Sequence, residues 1–188
     1  MADQGSEGLL SPFLRERRIQ AARPYLMGRV LDVGCGTGLL ARYVPTENYL
    51  GIDIDQASLA QAQAAFPQHR FLLTDTAPED GFNTIVALAV IEHVPDPTAF
   101  LASLREQLAH QDDSRIVCTT PHPTMESVHR IGASIGIFSK SANEEHQALL
   151  DRQTLTRTGE AAGLVVCHYR RFLLGANQVV VYALKGRC

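Results

Sequence analysis

The nine residues Val30-Leu31-Asp32-Val33-Gly34-Cys35-Gly36-Thr37-Gly38 decide how the rest of the chain is read. Val30 to Val33 is short, mostly apolar and ends at glycines, which describes a strand buried at the centre of a sheet rather than half exposed at its edge. Gly34, Gly36 and Gly38 let the backbone turn sharply and keep side chains away from whatever lies against it. A helix starting near Gly38 turns its first N–H groups toward the same place. Leu39, Leu40 and Tyr43 continue that helix until Pro45 stops it. Such a turn can hold a ligand, and it can equally serve close packing of strand on helix. Position 39 is Leu where G-x-G-x-x-G needs a third glycine, and no Gly-Lys-Ser/Thr follows, so neither a dinucleotide fingerprint nor a phosphate loop is present.

Outward from this turn, short apolar runs alternate with amphipathic segments, the pattern of βα units around a largely parallel sheet. Strands are expected at Tyr49 to Ile52, Arg70 to Leu73, Phe82 to Leu88 and Ser114 to Thr119. Helices are expected at Pro12 to Tyr25 and at Asp55 to Ala65. A third follows Asp96, with Pro97 as its first residue and Phe100, Leu101, Leu104 and Leu108 on its buried face. A helix from Asp151 to Ala162 stops at Gly163. Leu164 to Leu173 and Gln178 to Leu184 then form an antiparallel pair joined by Gly175-Ala176-Asn177. Between Pro121 and Leu150 the periodicity breaks down, as in an insertion on the sheet's working edge. The 188 residues fit one domain, with residues 1–27 as an N-terminal helical region and 121–150 as a substrate-side insertion.

Composition narrows the function. With 45% hydrophobic and 20% charged residues the chain can bury a full core. It lacks the run of roughly 20 apolar residues that a membrane span needs. Met1 to Gly8 is polar and acidic, unlike a secretory signal, and a cytoplasmic location is expected. A net charge of -3 argues against nucleic acid as a partner. The cluster Arg15, Arg17 and Arg18 is explained as well by a solvated helix face as by a ligand. Cys35, Cys118, Cys167 and Cys188 form no C-x-x-C pair, so free, reduced thiols are expected. The seven histidines include no H-E-x-x-H frame, and no metal is expected.

Acids at strand ends resolve the glycine turn. Asp53 ends the second strand, 21 residues after Asp32, where in a parallel sheet its carboxylate faces the same crevice and can accept both ribose hydroxyls of a nucleoside. Asp75 follows the third strand, and Asp55 reads as a helix cap. Together with Tyr49-Leu50-Gly51-Ile52-Asp53, Phe82-Asn83-Thr84-Ile85-Val86 and Val90-Ile91-Glu92-His93-Val94, the glycine turn resembles the class I S-adenosylmethionine-dependent methyltransferases. The likeness is to the small-molecule branch that includes ubiquinone-type O-methyltransferases, and it covers residues 28–120. It implies an α/β, Rossmann-like seven-stranded sheet in the order 3-2-1-4-5-7-6, with strand 7 antiparallel and helices on both faces. It further implies S-adenosylmethionine as cofactor. Asp32, Gly34 and Gly36 would line the methionyl part, with Cys35 and Gly38 of the same turn also binding the cofactor, Asp53 would take the ribose hydroxyls, Ile54, Asp75 and Thr76 would border the adenine, and Ala89 would present backbone to the methionine moiety.

Some ubiquinone-type relatives carry E-x-x-E-H after strand 4, able to bind a divalent cation, whereas this chain reads Ala89-Val90-Ile91-Glu92-His93. The first acid is missing, so Glu92 and His93 are expected to orient the loop or the cofactor. A methyl acceptor that is a hydroxyl or an ammonium needs a base. His146, beside Glu144 and Glu145, is the first candidate and His129 the second, and each reads equally as a surface histidine. A small-molecule acceptor is expected. A nucleic-acid or protein methyltransferase is disfavoured by the charge and by Leu88-Ala89-Val90-Ile91 in place of a base-reading N/D-P-P-Y/F motif. A nicotinamide-dependent oxidoreductase is disfavoured by Leu39. A nucleoside-binding regulatory or scaffold protein without catalysis shares every cofactor residue named above, and the oligomeric state is not encoded in any of these features.

Overall fold

Side chains alternate across the central strands, and both faces are buried. Leu31 and Val33 join a core with Ile85, Ala87, Ile116 and Leu101. Val30 joins another with Tyr49, Val86, Val117 and Ile19. A sheet is thereby sandwiched between two helical layers, as expected for parallel strands rich in β-branched residues. The computed structural model describes residues 11–123 and 150–188. In chain order these form α1 (Ser11–Ala22), β1 (Val30–Val33), β2 (Tyr49–Asp53), α2 (Gln56–Ala65), β3 (Arg70–Leu73), β4 (Thr84–Leu88), α3 (Pro97–Gln107) and β5 (Arg115–Pro121). After residue 149 come α4 (Arg152–Ala161), β6 (Leu164–Phe172) and β7 (Asn177–Leu184). The seven strands lie in the order β3-β2-β1-β4-β5-β7-β6. β1 to β5 run parallel, and β7 runs antiparallel to both β5 and β6. Order and direction agree with the sequence reading. No helix among the described residues is long and apolar enough to cross a membrane.

Helix starts follow their caps. Asp55 accepts from the N–H groups of Ala57 and Ser58, Asp96 from those of Thr98 and Ala99, and Asp151 from that of Thr154. The helix expected after the glycine turn is instead a five-residue 3-10 stretch, Leu39–Tyr43, entered through Gly38 at φ 73°. With Pro45 six residues after Leu39 there is no room for more than one or two turns. β4 begins two residues later than expected, because Phe82 pairs with Leu108 in an isolated bridge.

Buried Gln178 organises the far end of β5. Its Nε2 donates to the carbonyl of Pro121 at 3.1 Å and to that of Leu150 at 2.5 Å, and its Oε1 accepts from Tyr169 Oη at 2.8 Å. Both ends of the stretch 122–149 are therefore held by one side chain. His129 and His146, picked out in that stretch by sequence, lie outside the described residues.

The cysteines need a correction. Cys35 and Cys118 are free, but Cys167 and Cys188 form a disulfide, their Cα atoms 5.3 Å apart. Val166 pairs with Tyr182 and His168 with Val181, so Cys167 is an extra residue in β6, a bulge with no partner across the ladder. The hairpin brings the chain after β7 back beside it. Proximity made by a hairpin leaves no local spacing pattern, which is why counting cysteines missed it. The bond closes a loop of 21 residues. Removing it by Cys167→Ser, or by reductant, is expected to lower stability by about 3 kcal/mol in urea unfolding. Equal midpoints with and without reductant would show the two thiols unlinked in solution.

Candidate functional site

A cleft of about 800 Å³ opens at the carboxyl ends of β1 and β4, within the size range of small-molecule sites. The glycine turn forms its floor with Gly34, Cys35, Gly36 and Thr37. Asp55, Ser58 and Gln61 from the start of α2 form one wall, Arg15 and Arg18 from α1 the other, and Leu88 closes the β4 side. The glycines divide the two roles that their pattern allows. A Cβ on Gly36 (φ 52°) would meet nothing within 4 Å and would project into open space. A Cβ on Gly34 would come within 2.6 Å of Val90 Cγ2, and one on Gly38 within 2.8 Å of the Phe71 ring. Gly36 keeps ligand space clear, while the other two let the turn seat on its neighbours.

Two carboxylates set the electrostatics. Asp53 Oδ2 accepts from Gly36 N at 2.7 Å and its Oδ1 from Asp55 N at 2.9 Å, so the end of β2 holds the turn and the start of α2 together. Asp32 is only 3% exposed and accepts from Tyr49 Oη at 2.8 Å. Burial pushes its carboxyl up to about 7, with the Tyr49 bond pulling the other way and the nearby Asp53 charge adding to the rise. Cys35, half-buried between these acids, has its thiol pushed far above the usual range by burial first and by both carboxylates second.

The structure brings Asp32, Gly34, Cys35 and Gly36 to the cleft directly. Asp53 meets it through its bonds to Gly36 and Asp55. Gly38 packs inward. Ile54, Asp75 and Thr76 stand exposed after β2 and β3. Ala89 sits at φ 58° with its N–H bonded to Thr119 O. His129 and His146 lie outside the described residues. Sequence reading left the arginines of α1 undecided, and the structure decides for two of them: Arg15 and Arg18, three apart on one helix face, line the cleft, while Arg17 faces solvent. That spacing was the signal. Arg15 Nη1 lies 3.5 Å from Thr37 Oγ1, and Arg18 Nε donates to Asn177 Oδ1 at 3.0 Å. Among the described residues no group of three His, Cys, Asp or Glu could hold a metal ion.

Comparison with known proteins agrees with this geometry. Residues 10–169 match the family model described as a methyltransferase domain. The ubiquinone biosynthesis O-methyltransferase of Aeromonas salmonicida (strain A449) is 26% identical over 178 residues, covering 84% of this chain and 75% of that protein. The trans-aconitate 2-methyltransferase of Variovorax paradoxus (strain S110) is 36% identical over 111 residues, 55% of this chain, which spans only 42% of that protein's length. Magnesium protoporphyrin IX methyltransferase from Synechocystis PCC 6803, solved with bound S-adenosylhomocysteine, shares the fold. It has a TM-score of 0.68 and 15% identity, over 97% of this chain and 90% of that one. The family match spans most of the chain, and it places the protein among the methyltransferase domains, as an enzyme that uses S-adenosylmethionine.

Proposed function

We propose that the protein transfers a methyl group to an oxygen or nitrogen of a small molecule. The observation that carries this reading is the charge layout of the cleft, with carboxylates at the ends of β1 and β2 facing Arg15 of α1 across a bare Gly36. S-adenosylmethionine carries hydroxyls and positive charge along its length and a carboxylate at one end, and its sulfonium makes the methyl group electrophilic. Asp53 takes the ribose hydroxyls. Asp32 and the turn from Gly34 to Gly36 border the methionyl part, with Cys35 beside them and Gly38 supporting from behind. Arg15, next to Thr37, takes the carboxylate. Ile54, Asp75 and Thr76 border the adenine, and Ala89 offers backbone at the methionine end. The chain's work is then in-line placement and exclusion of water. For a protonated acceptor, His146 is the first choice of base and His129 the second. The names of the two sequence relatives, which point to metabolites, favour a small acceptor.

Release of S-adenosylhomocysteine with a methyl-sized mass gain in a metabolite extract is the direct test. Asp53→Ala is expected to weaken S-adenosylhomocysteine binding by roughly 1.5–3 kcal/mol, the range for a hydrogen bond to a charged group. An unchanged dissociation constant by calorimetry would leave Asp53 a turn residue only.

Asp32 gives a pH signature. Its folded-state pKa of about 7 lies above its ordinary 3.8, so the neutral form suits the fold, and stability falls as pH rises through that interval. Relative to wild type, Asp32→Asn is expected to gain up to about 4 kcal/mol between pH 4 and 7 and then to level off. Urea unfolding at several pH values checks this, and a flat difference would mean that Asp32 stays ionised throughout.

A further inference from the structure

Beside Leu88, which closes the β4 side of the cleft, lie buried polar groups that none of the cofactor contacts above uses. Leu88 pairs across the ladder with Thr119, which is fully buried and whose Oγ1 has no hydrogen-bond partner. Glu92, in the 3-10 turn after β4, is 8% exposed. Its Oε2 is left without a partner. A buried carboxylate oxygen with nothing to accept from is costly unless a ligand supplies the donor. Arg18 stands on the opposite side. Asn177, at the start of β7, holds its Nε, and its charge and that of Glu92 act on each other. A guanidinium fixed through Nε keeps its two terminal nitrogens for a planar anion.

We propose that Arg18, Glu92 and Thr119 form the acceptor subsite, and that it takes a small hydroxy acid, with the carboxylate on Arg18 and the hydroxyl donating to Glu92. The proposal rests on the methyl-transfer reading and names the acceptor class for it. Placed so, the hydroxyl proton has a partner as the oxygen–methyl bond forms and the sulfur–methyl bond breaks, and S-adenosylhomocysteine leaves neutral at sulfur. Arg15 keeps to the cofactor beside Thr37, and Arg18, one helical turn on, serves the acceptor.

Binding to the protein saturated with S-adenosylhomocysteine tests this by ligand-observed NMR. Salicylate and malate carry both groups, benzoate and succinate lack the hydroxyl, and phenol lacks the carboxylate. The hydroxy acids are expected to bind more tightly than the plain acids, and phenol least. Arg18→Met should weaken all the carboxylates by about tenfold or more, with Arg18→Lys in between. Glu92→Gln should erase the preference for the hydroxyl while leaving benzoate and succinate within about threefold. S-adenosylhomocysteine affinity should hold in all three variants, and far-UV circular dichroism reports their folding. No binding of any carboxylate to the loaded wild type overturns the proposal. So does an Arg18→Met or Arg18→Lys protein that is folded and binds them undiminished, or one that loses S-adenosylhomocysteine first. Failure of the wild type to bind S-adenosylhomocysteine at all would instead overturn the reading beneath it.

Discussion

Asp53 accepts two backbone hydrogen bonds, from Gly36 and from Asp55, and much of the site hangs on that pair. Three glycines at positive φ within five residues make a turn with little preference of its own for any one shape. The carboxylate at the end of the neighbouring strand supplies the preference, by fixing the middle of the turn and the entrance to α2 at one point. Cys35 N bonded to Ile52 O at 3.0 Å continues the same clasp on the backbone. The cleft wall and the cleft floor are therefore one hydrogen-bonded unit, set by the parallel register that places Val33 beside Ile52.

Burial of Asp32 is the counterpart. β1 lies between two cores, so one of its four side chains can be polar only where a donor reaches it, and Tyr49 from β2 is that donor. The fold accepts a carboxyl in a dry place, next to a space suited to positive charge. Such a conflict between stability and local chemistry is what functional sites show.

The fold was legible because its signals are local. Two-sided burial of Val30 to Val33, capping acids at 55, 96 and 151, and the stop at Gly163 are each readable within a few residues. The acids at the cleft, Asp32 and Asp53, were legible for a related reason, since they end strands and strand ends are visible in sequence. What escaped depends on elements far apart in the chain meeting in space. The Cys167–Cys188 bond needs the β6 bulge and the returning hairpin. The placement of Arg18 at the cleft involves Asn177, 159 residues away. The polar cluster around Glu92 needs the ladder of β4 on β5. The glycine turn misled only in length, because a proline close behind it left a 3-10 stretch where a longer helix was expected.

Gln178 has an effect on what the chain can become. Because one buried amide holds Pro121 and Leu150 side by side, the backbone leaves the sheet and returns to it at nearly the same point. The entropy of closing such an excursion grows only with the logarithm of its length. The length of the piece between can therefore change at little thermodynamic penalty to the sheet, and the cleft residues named above lie outside it in sequence. In this sense the length of the excursion and the stability of the sheet are set by separate parts of the chain.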